Sequence, residues 1–170
     1  MPYVPPTNIS VGQTVTTAIM NDWWSGNVSF LANPPACRLT ESGGQVLNNN
    51  TLTDLTFSAE QYDTDGMHSG SSERITIKTA GIYLVTGYAT FATDNDITEM
   101  LLRLLVDGAT DIGQQRIAGS LAGFEILSVT GAYRFNVGQY VTLNARHINT
   151  SAGTNTVTGR AFSATWLGLG

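Results

Sequence analysis

The chain has 170 residues, with 13 Asp and Glu against 8 Lys and Arg, a net charge of −5 and an isoelectric point near 4.7. Charged residues make up only 12%, about half the roughly 25% of an ordinary soluble domain, and polarity comes instead from 23 Thr, 18 Gly and 12 each of Ser and Asn. With Lys78 as the single lysine, no long apolar run, no signal-peptide start and one cysteine, Cys37, the sequence argues against nucleic-acid binding, membrane insertion, a secretory address and an intrachain disulfide.

Residues 1–37 differ in kind from the rest. They open on a proline-rich strip, Met1 to Pro6, and carry one charged residue, Asp22. A helix is expected from Thr16 to Leu31, capped by Thr14, Thr16 or Thr17 and ended by Pro34-Pro35. At α-helical spacing Ile19, Met20, Trp23, Trp24, Val28, Phe30 and Leu31 fall on one side, with Asn27 intruding and Gly26 weakening the helix. A single helix cannot hide two tryptophans alone. It either packs on its own domain or docks on another chain.

From about residue 36 onward the pattern is strands and turns. Ile75 and Ile77 alternate around Thr76. In Ile82 to Phe91 and in Leu101 to Val106 both parities are apolar, which predicts strands covered on each side. Val129, Tyr133 and Phe135 share a parity, as do Val141, Leu143 and Ala145, and then Phe162, Ala164 and Trp166. Turn signals separate these runs at Gly43-Gly44, Asp65-Gly66, Asp107-Gly108, Gly138 and Ser151-Ala152-Gly153. Thr suits half-exposed strands, and Gly and Asn suit turns. Short strands at this spacing predict an all-β sandwich or barrel over residues 38–170.

Catalytic chemistry is not expected. Gly66-Met-His-Ser-Gly has the wrong spacing for a nucleophile elbow, and no phosphate loop precedes Lys78. His68 and His147 form no ligand pair, and Cys37 has no neighbouring base. No cofactor is expected, apart from Ca²⁺ at the Asp94–Glu99 loop, where Asp94, Asp96 and Glu99 supply the hard oxygens that ion prefers. The same carboxylates also suit a plain Asx-rich turn. Asn-x-Ser/Thr sequons at Asn8, Asn27, Asn49 and Asn149 read as coincidence in a chain so rich in Asn, Ser and Thr. Arg103 stands among leucines. A lone buried cation is costly, so it should either face solvent on an outer sheet or pair with a carboxylate, including one across a subunit interface.

Four stretches in order carry a family resemblance. Arg74-Ile-Thr-Ile-Lys-Thr-Ala-Gly-Ile-Tyr-Leu-Val-Thr-Gly-Tyr resembles the Gly-x-Tyr segment opening the long central strand of C1q/TNF-like domains, with Gly81 and Tyr83 as that pair. Leu102 to Gly108, Tyr133 to Leu143 and Ala161 to Leu167 are similar to later strands of that family, with Gln139 and Ala164 departing from the usual Asp and Gly. The leader Val11-Gly-Gln-Thr-Val-Thr-Thr-Ala-Ile-Met-Asn, together with Glu60 to Ser69, further resembles C1q-like proteins of tailed bacteriophages, though no collagen-like stalk is present.

The resemblance implies a ten-strand C1q/TNF-like jelly-roll sandwich forming a homotrimer, with residues 1–37 as the virion-attachment segment. It implies a structural protein on the phage particle surface, made in the host cytoplasm, with other phage structural proteins as partners. The leading role is a minor tail or receptor-binding adsorption protein; the alternative is a capsid decoration or head-fibre protein. Attachment falls to Ile19, Met20, Trp23, Trp24, Val28 and Leu31. The trimer and core fall to Tyr83, Tyr88, Phe91, Arg103, Tyr133, Phe135, Phe162 and Trp166. A host cell-surface glycan or envelope polymer would be met by a loop carrying Tyr62, Met67 and His68.

Overall fold

The computed structural model describes residues 10–68, 70, 72–93, 96–118 and 123–169. The proline strip Met1 to Pro6, Asn8, and Asp94 and Asn95 of the suspected calcium loop lie outside them.

The helix forms where expected but not as one regular rod. The Thr16 hydroxyl accepts the Ile19 N–H at 3.3 Å and caps α1 (Thr17–Met20). A π-helical stretch, Asn21–Ser25, then joins it to α2 (Gly26–Ala32). The wider π turn shifts the angular phase of the side chains that follow it. The single apolar side expected for the helix therefore splits in two. Ile19, Trp23 and Phe30 are partly or fully covered, whereas Met20, Trp24, Val28 and Leu31 are exposed.

Among the described residues eleven strands follow, one more than the resemblance implies: β1 (Ala36–Glu41), β2 (Gln45–Leu47), β3 (Thr53–Asp54), β4 (Ala59–Asp63), β5 (Arg74–Thr76), β6 (Gly81–Thr93), β7 (Ile97–Val106), β8 (Thr110–Ala118), β9 (Gly123–Phe135), β10 (Tyr140–Asn149) and β11 (Asn155–Gly168). All described pairings are antiparallel. The first sheet runs β4-β1-β11-β6-β9, and the second β3-β10-β7-β8 with β5 also on β10. Strand β11 has 14 residues and β1 only 6, so β11 outruns β1 and pairs its free beginning, Asn155 to Val157, with the short β2.

The two sheets close over one core. On β6 the inward side chains Tyr83, Val85 and Phe91 meet Phe135 of β9, Leu102 and Leu104 of β7, and Leu143 of β10. Tyr83 and Phe135 sit edge to face at 5.8 Å, and Phe57 stacks on Phe162 at 5.7 Å. The hairpin between β7 and β8 turns on Asp107 and Gly108, both at positive φ (51° and 69°), as the Asp-Gly pair predicts. Where β8 crosses to β9 the backbones touch: a Cβ on Gly131 would lie 2.4 Å from the Ile112 carbonyl. Only glycine permits that approach.

Candidate functional site

Strand alternation sorts the expected site residues into core and surface. Tyr83, Phe91, Phe135 and Phe162 point inward and are fully buried, so they hold the sandwich together and are not available to a neighbouring chain. Tyr133 packs partly buried against Phe135 at 4.8 Å. Trp166 is also partly buried. It meets Phe30 of α2 edge-on at 4.9 Å, and its indole N–H donates to the Ala80 carbonyl at 3.3 Å. This tryptophan explains Gly81: at φ +153° a Cβ there would lie 2.2 Å from the indole nitrogen.

The outward side of β6 is different. Leu84 and Tyr88 are 37% and 38% exposed, so the both-sides-covered pattern read from this strand is half met in this chain. On the same face of β9, opposite Thr90 and Ala92, stand Ile126 and Phe124, 63% and 70% exposed. One rung runs Tyr62, Arg38, Ser163, Thr86 and Thr130 across five strands, with Thr86 and Ser163 sharing a hydroxyl hydrogen bond of 2.7 Å. A shallow depression of about 170 Å³ lies here between Arg38, Tyr88 and Ser128. This face is mixed: threonine and serine at its centre, large apolar side chains along β6 and β9.

The loop expected to face a receptor is not assembled as such. Met67 is fully buried and joins the core, drawn under the loop by the hydrogen bond from the Thr76 N–H to its carbonyl at 2.8 Å. His68 is mostly covered, with its Nδ1 3.7 Å from Glu60. Tyr62 is exposed, but it lies on edge strand β4 beside Arg38, on the sheet face just described. Asp63 accepts N–H bonds from Asp65 and His68, and Asp65 accepts the Thr79 hydroxyl, so both carboxylates brace the turn.

Of the suspected calcium loop, Glu99 is already committed to other partners. Glu99 lies in β7, on the outer face of the second sheet, and its two oxygens are taken by Arg116 and Arg146. Among the described residues no three His, Cys, Asp or Glu side chains converge as metal ligands. Cys37 is fully buried, and its burial, with Asp63 and Glu60 nearby, pushes the thiol up to about 12, far from the thiolate a nucleophile requires.

Two charged groups that motif reading passed over fasten the loops. Glu41, opposite Arg160 in the ladder, accepts the Gly43 N–H at 2.6 Å and both the N–H and hydroxyl of Ser58. The Ser58 hydroxyl first, then the Gly43 N–H, hold its carboxyl down at about 2. Arg160 is 3% exposed; it donates to the Thr56 carbonyl at 2.7 Å and the Gly43 carbonyl at 2.8 Å and lies over the Phe57 ring. Their only sequence signal is position: a charge amid a strand.

No protein-family model matches the chain, and no curated protein matches it in sequence. Solved structures do. The globular domain of zebrafish complement 1qA protein superposes with a TM-score of 0.57 at 14% identity, covering 80% of this chain and 99% of that one. The Eiger TNF from S. frugiperda superposes at 0.58 with 13% identity, covering 80% and 94%. The fold is C1q/TNF-like. In this C1q/TNF-like sandwich Gly81 and Tyr83 stand at the start of the long central strand, where the sequence resemblance put them, and the Tyr83 hydroxyl ties that start down by donating to the Thr79 carbonyl at 2.7 Å.

Proposed function

We propose that the chain is a virion-surface protein of a tailed bacteriophage, a C1q/TNF-like module that trimerises, meets the host surface at the tail and is held on the particle through residues 1–37. One observation carries this reading. The helix touches its own sandwich through Phe30 on Trp166 while Trp24 and Leu31 stay 73% and 68% exposed, with Met20 and Val28 beside them. An apolar helix side left open by its own domain is suited to a partner surface. The phage setting is supported by the leader Val11 to Asn21 and the stretch Glu60 to Ser69, which resemble C1q-like proteins of tailed bacteriophages. Trimerisation would use the outer face of the first sheet, where Leu84, Tyr88, Phe124 and Ile126 are open.

The test is gold-labelled antibody against the β-domain on intact particles, viewed by electron microscopy. Label at the tail tip is expected. Label over the head would make the chain a capsid decoration or head-fibre protein, and virions without label would overturn the phage assignment.

A further inference from the structure

One of the two histidines of the chain, His147, is fully buried near the end of β10, on the side of the strand that carries the core residues Val141, Leu143 and Ala145. A bulge follows it between Ile148 and Asn149, and the loop from Thr150 to Thr154 returns the chain into β11. The Gly153 carbonyl of this loop meets the His147 Nε2 at 3.2 Å and accepts the Asn149 side-chain N–H at 3.1 Å. A carbonyl only accepts, so Nε2 carries the proton and Nδ1 is bare. The turn ahead of β3 hangs on the same strand end. Asn50 donates its N–H to the His147 carbonyl at 2.9 Å, and the Asn49 Oδ1 accepts the Asn149 N–H at 2.9 Å. Ala152, at φ 57°, holds the loop in a conformation that strains a residue with a Cβ.

The bonding at this end is incomplete. His147 Nδ1, Asn149 Oδ1 and Asn155 Nδ2 are buried with no hydrogen-bond partner, on residues 0%, 6% and 7% exposed. Buried polar groups nearly always pair, so this hairpin is held less firmly than the ladders beside it. The residues bonded to His147 or opposite it carry no charge. Its ladder neighbour on β7 is Met100, and at the start of β11 the uncharged Asn155 pairs with Leu47 of β2. Arg146 and Glu99, the charges nearest in register, point to the other side of the sheet, where they bind each other. Asp96 touches the hairpin through its main-chain carbonyl, which accepts the Thr150 N–H at 3.0 Å.

We infer that His147 is an acid-operated latch on the hairpin between β10 and β11. A proton added to Nδ1 places a cation and a second N–H where no acceptor is within reach, and burying an unpaired charge costs more than releasing a short loop. Histidine is the side chain that ordinarily changes charge between pH 5 and 8, so a proton is the trigger that mild acid supplies. The ring turns out to water, the Gly153 carbonyl loses a donor, and the loop at Ala152 and the turn at Asn50 come free with it. Asn155 and Trp166 lie at opposite ends of β11, about 35 Å apart along an extended strand, so the hairpin opens at the end of the sandwich remote from the helix contact. The latch stands independently of the virion reading.

Amide hydrogen exchange of the full chain, read by NMR as protection factors from pH 7.5 to pH 5.5, spans the histidine range and tests the latch. The N–H groups of Asn50, Asn149 and Thr150 should lose protection by about tenfold or more, while those of β6 keep theirs. His147→Gln retains an N–H for the Gly153 carbonyl but cannot take a proton, and its profile should be flat. His68→Gln and Asp96→Asn should leave the fall in place. Glu41, whose carboxyl is held down at about 2, titrates below this window. A flat wild-type profile, a fall that survives in His147→Gln, or one that vanishes in His68→Gln or Asp96→Asn overturns the latch. If His147→Gln does not fold, the ring nitrogens of wild-type His147 decide. Their resonances should show Nε2–H at pH 7.5 and a protonation midpoint that coincides with the loss of loop protection. A ring that protonates with the loop still protected, or a loop that opens with the ring neutral, overturns it.

Discussion

Glu41 and Arg103 show how two charges in strands meet opposite fates. Glu41 is solvent-facing yet holds three donors from Gly43 and Ser58, and its folded-state carboxyl is lowered to about 2. A carboxyl lowered on folding adds stability above its unfolded value, near 4.5, and that stability drains as pH falls toward 2. Urea unfolding followed from pH 5 to pH 2 should therefore show falling stability in the wild type and a visibly shallower fall in Glu41→Gln; equal slopes would remove Glu41 from the acid response. Arg103 has no such partner, and a sequence cannot say so, because partnering depends on which strand lies alongside. Its side of the sheet is the outer one, as one of the two readings left open for it requires. Met67 makes the same point from the apolar side. Its neighbours Asp65, Gly66 and His68 read as an exposed loop, while the backbone bond from Thr76 turns its side chain into the core.

Six of the eleven described strands were legible because alternation is a direct consequence of the pleat: the runs around Ile75, Ile82, Leu101, Val129, Val141 and Phe162 all lie in strands. Strands β1 to β4 and β8 were not named from the sequence. Thr110 to Ala118 carries Gly, two Gln, Asp and Arg, and only Ile112 and Ile117 reach the core. Its strand state comes from pairing with β7, and such tertiary support leaves no periodic trace. The helix fails in a third way. Its existence and cap were readable, but one face was expected and two are present, since a π turn has no sequence rule as firm as Gly or Pro. The described helix-to-sheet ring contact is Phe30 on Trp166, so this element should respond to a single change. Phe30→Ala removes a side chain 3% exposed. At this site, against a partner only partly buried, the loss should be near the low end of the roughly 3–5 kcal/mol seen for buried Phe→Ala. Limited proteolysis should then cut between Gly26 and Asn33 many times faster while the sandwich stays intact. Unchanged cleavage would mean that the helix is held by something other than Phe30.

The whole molecule presents two sheet faces of different character, and this bears on how copies assemble. The first sheet shows Leu84, Tyr88, Ile126 and Phe124 outward, with Arg38 and Arg134 among them; the second shows four arginines, Asn144 and Thr142. Burying apolar area releases about 25 cal/mol per Å², whereas burying an arginine without an acid costs free energy, so self-association should select the first face. In a closed threefold ring one patch meets a different patch on the next copy, and a charge placed on either side breaks every contact at once. Sedimentation equilibrium at micromolar concentration should give about three times the 18.1 kDa chain mass for the wild type. Tyr88→Asp and Ile126→Lys should each bring it down to the single-chain mass, with the far-ultraviolet dichroism of the sandwich retained. Arg103→Gln, on the other sheet, should leave the trimer unchanged. A wild type that sediments as one chain would refute the trimer; a trimer lost in Arg103→Gln but kept in Tyr88→Asp would move the interface to the arginine face.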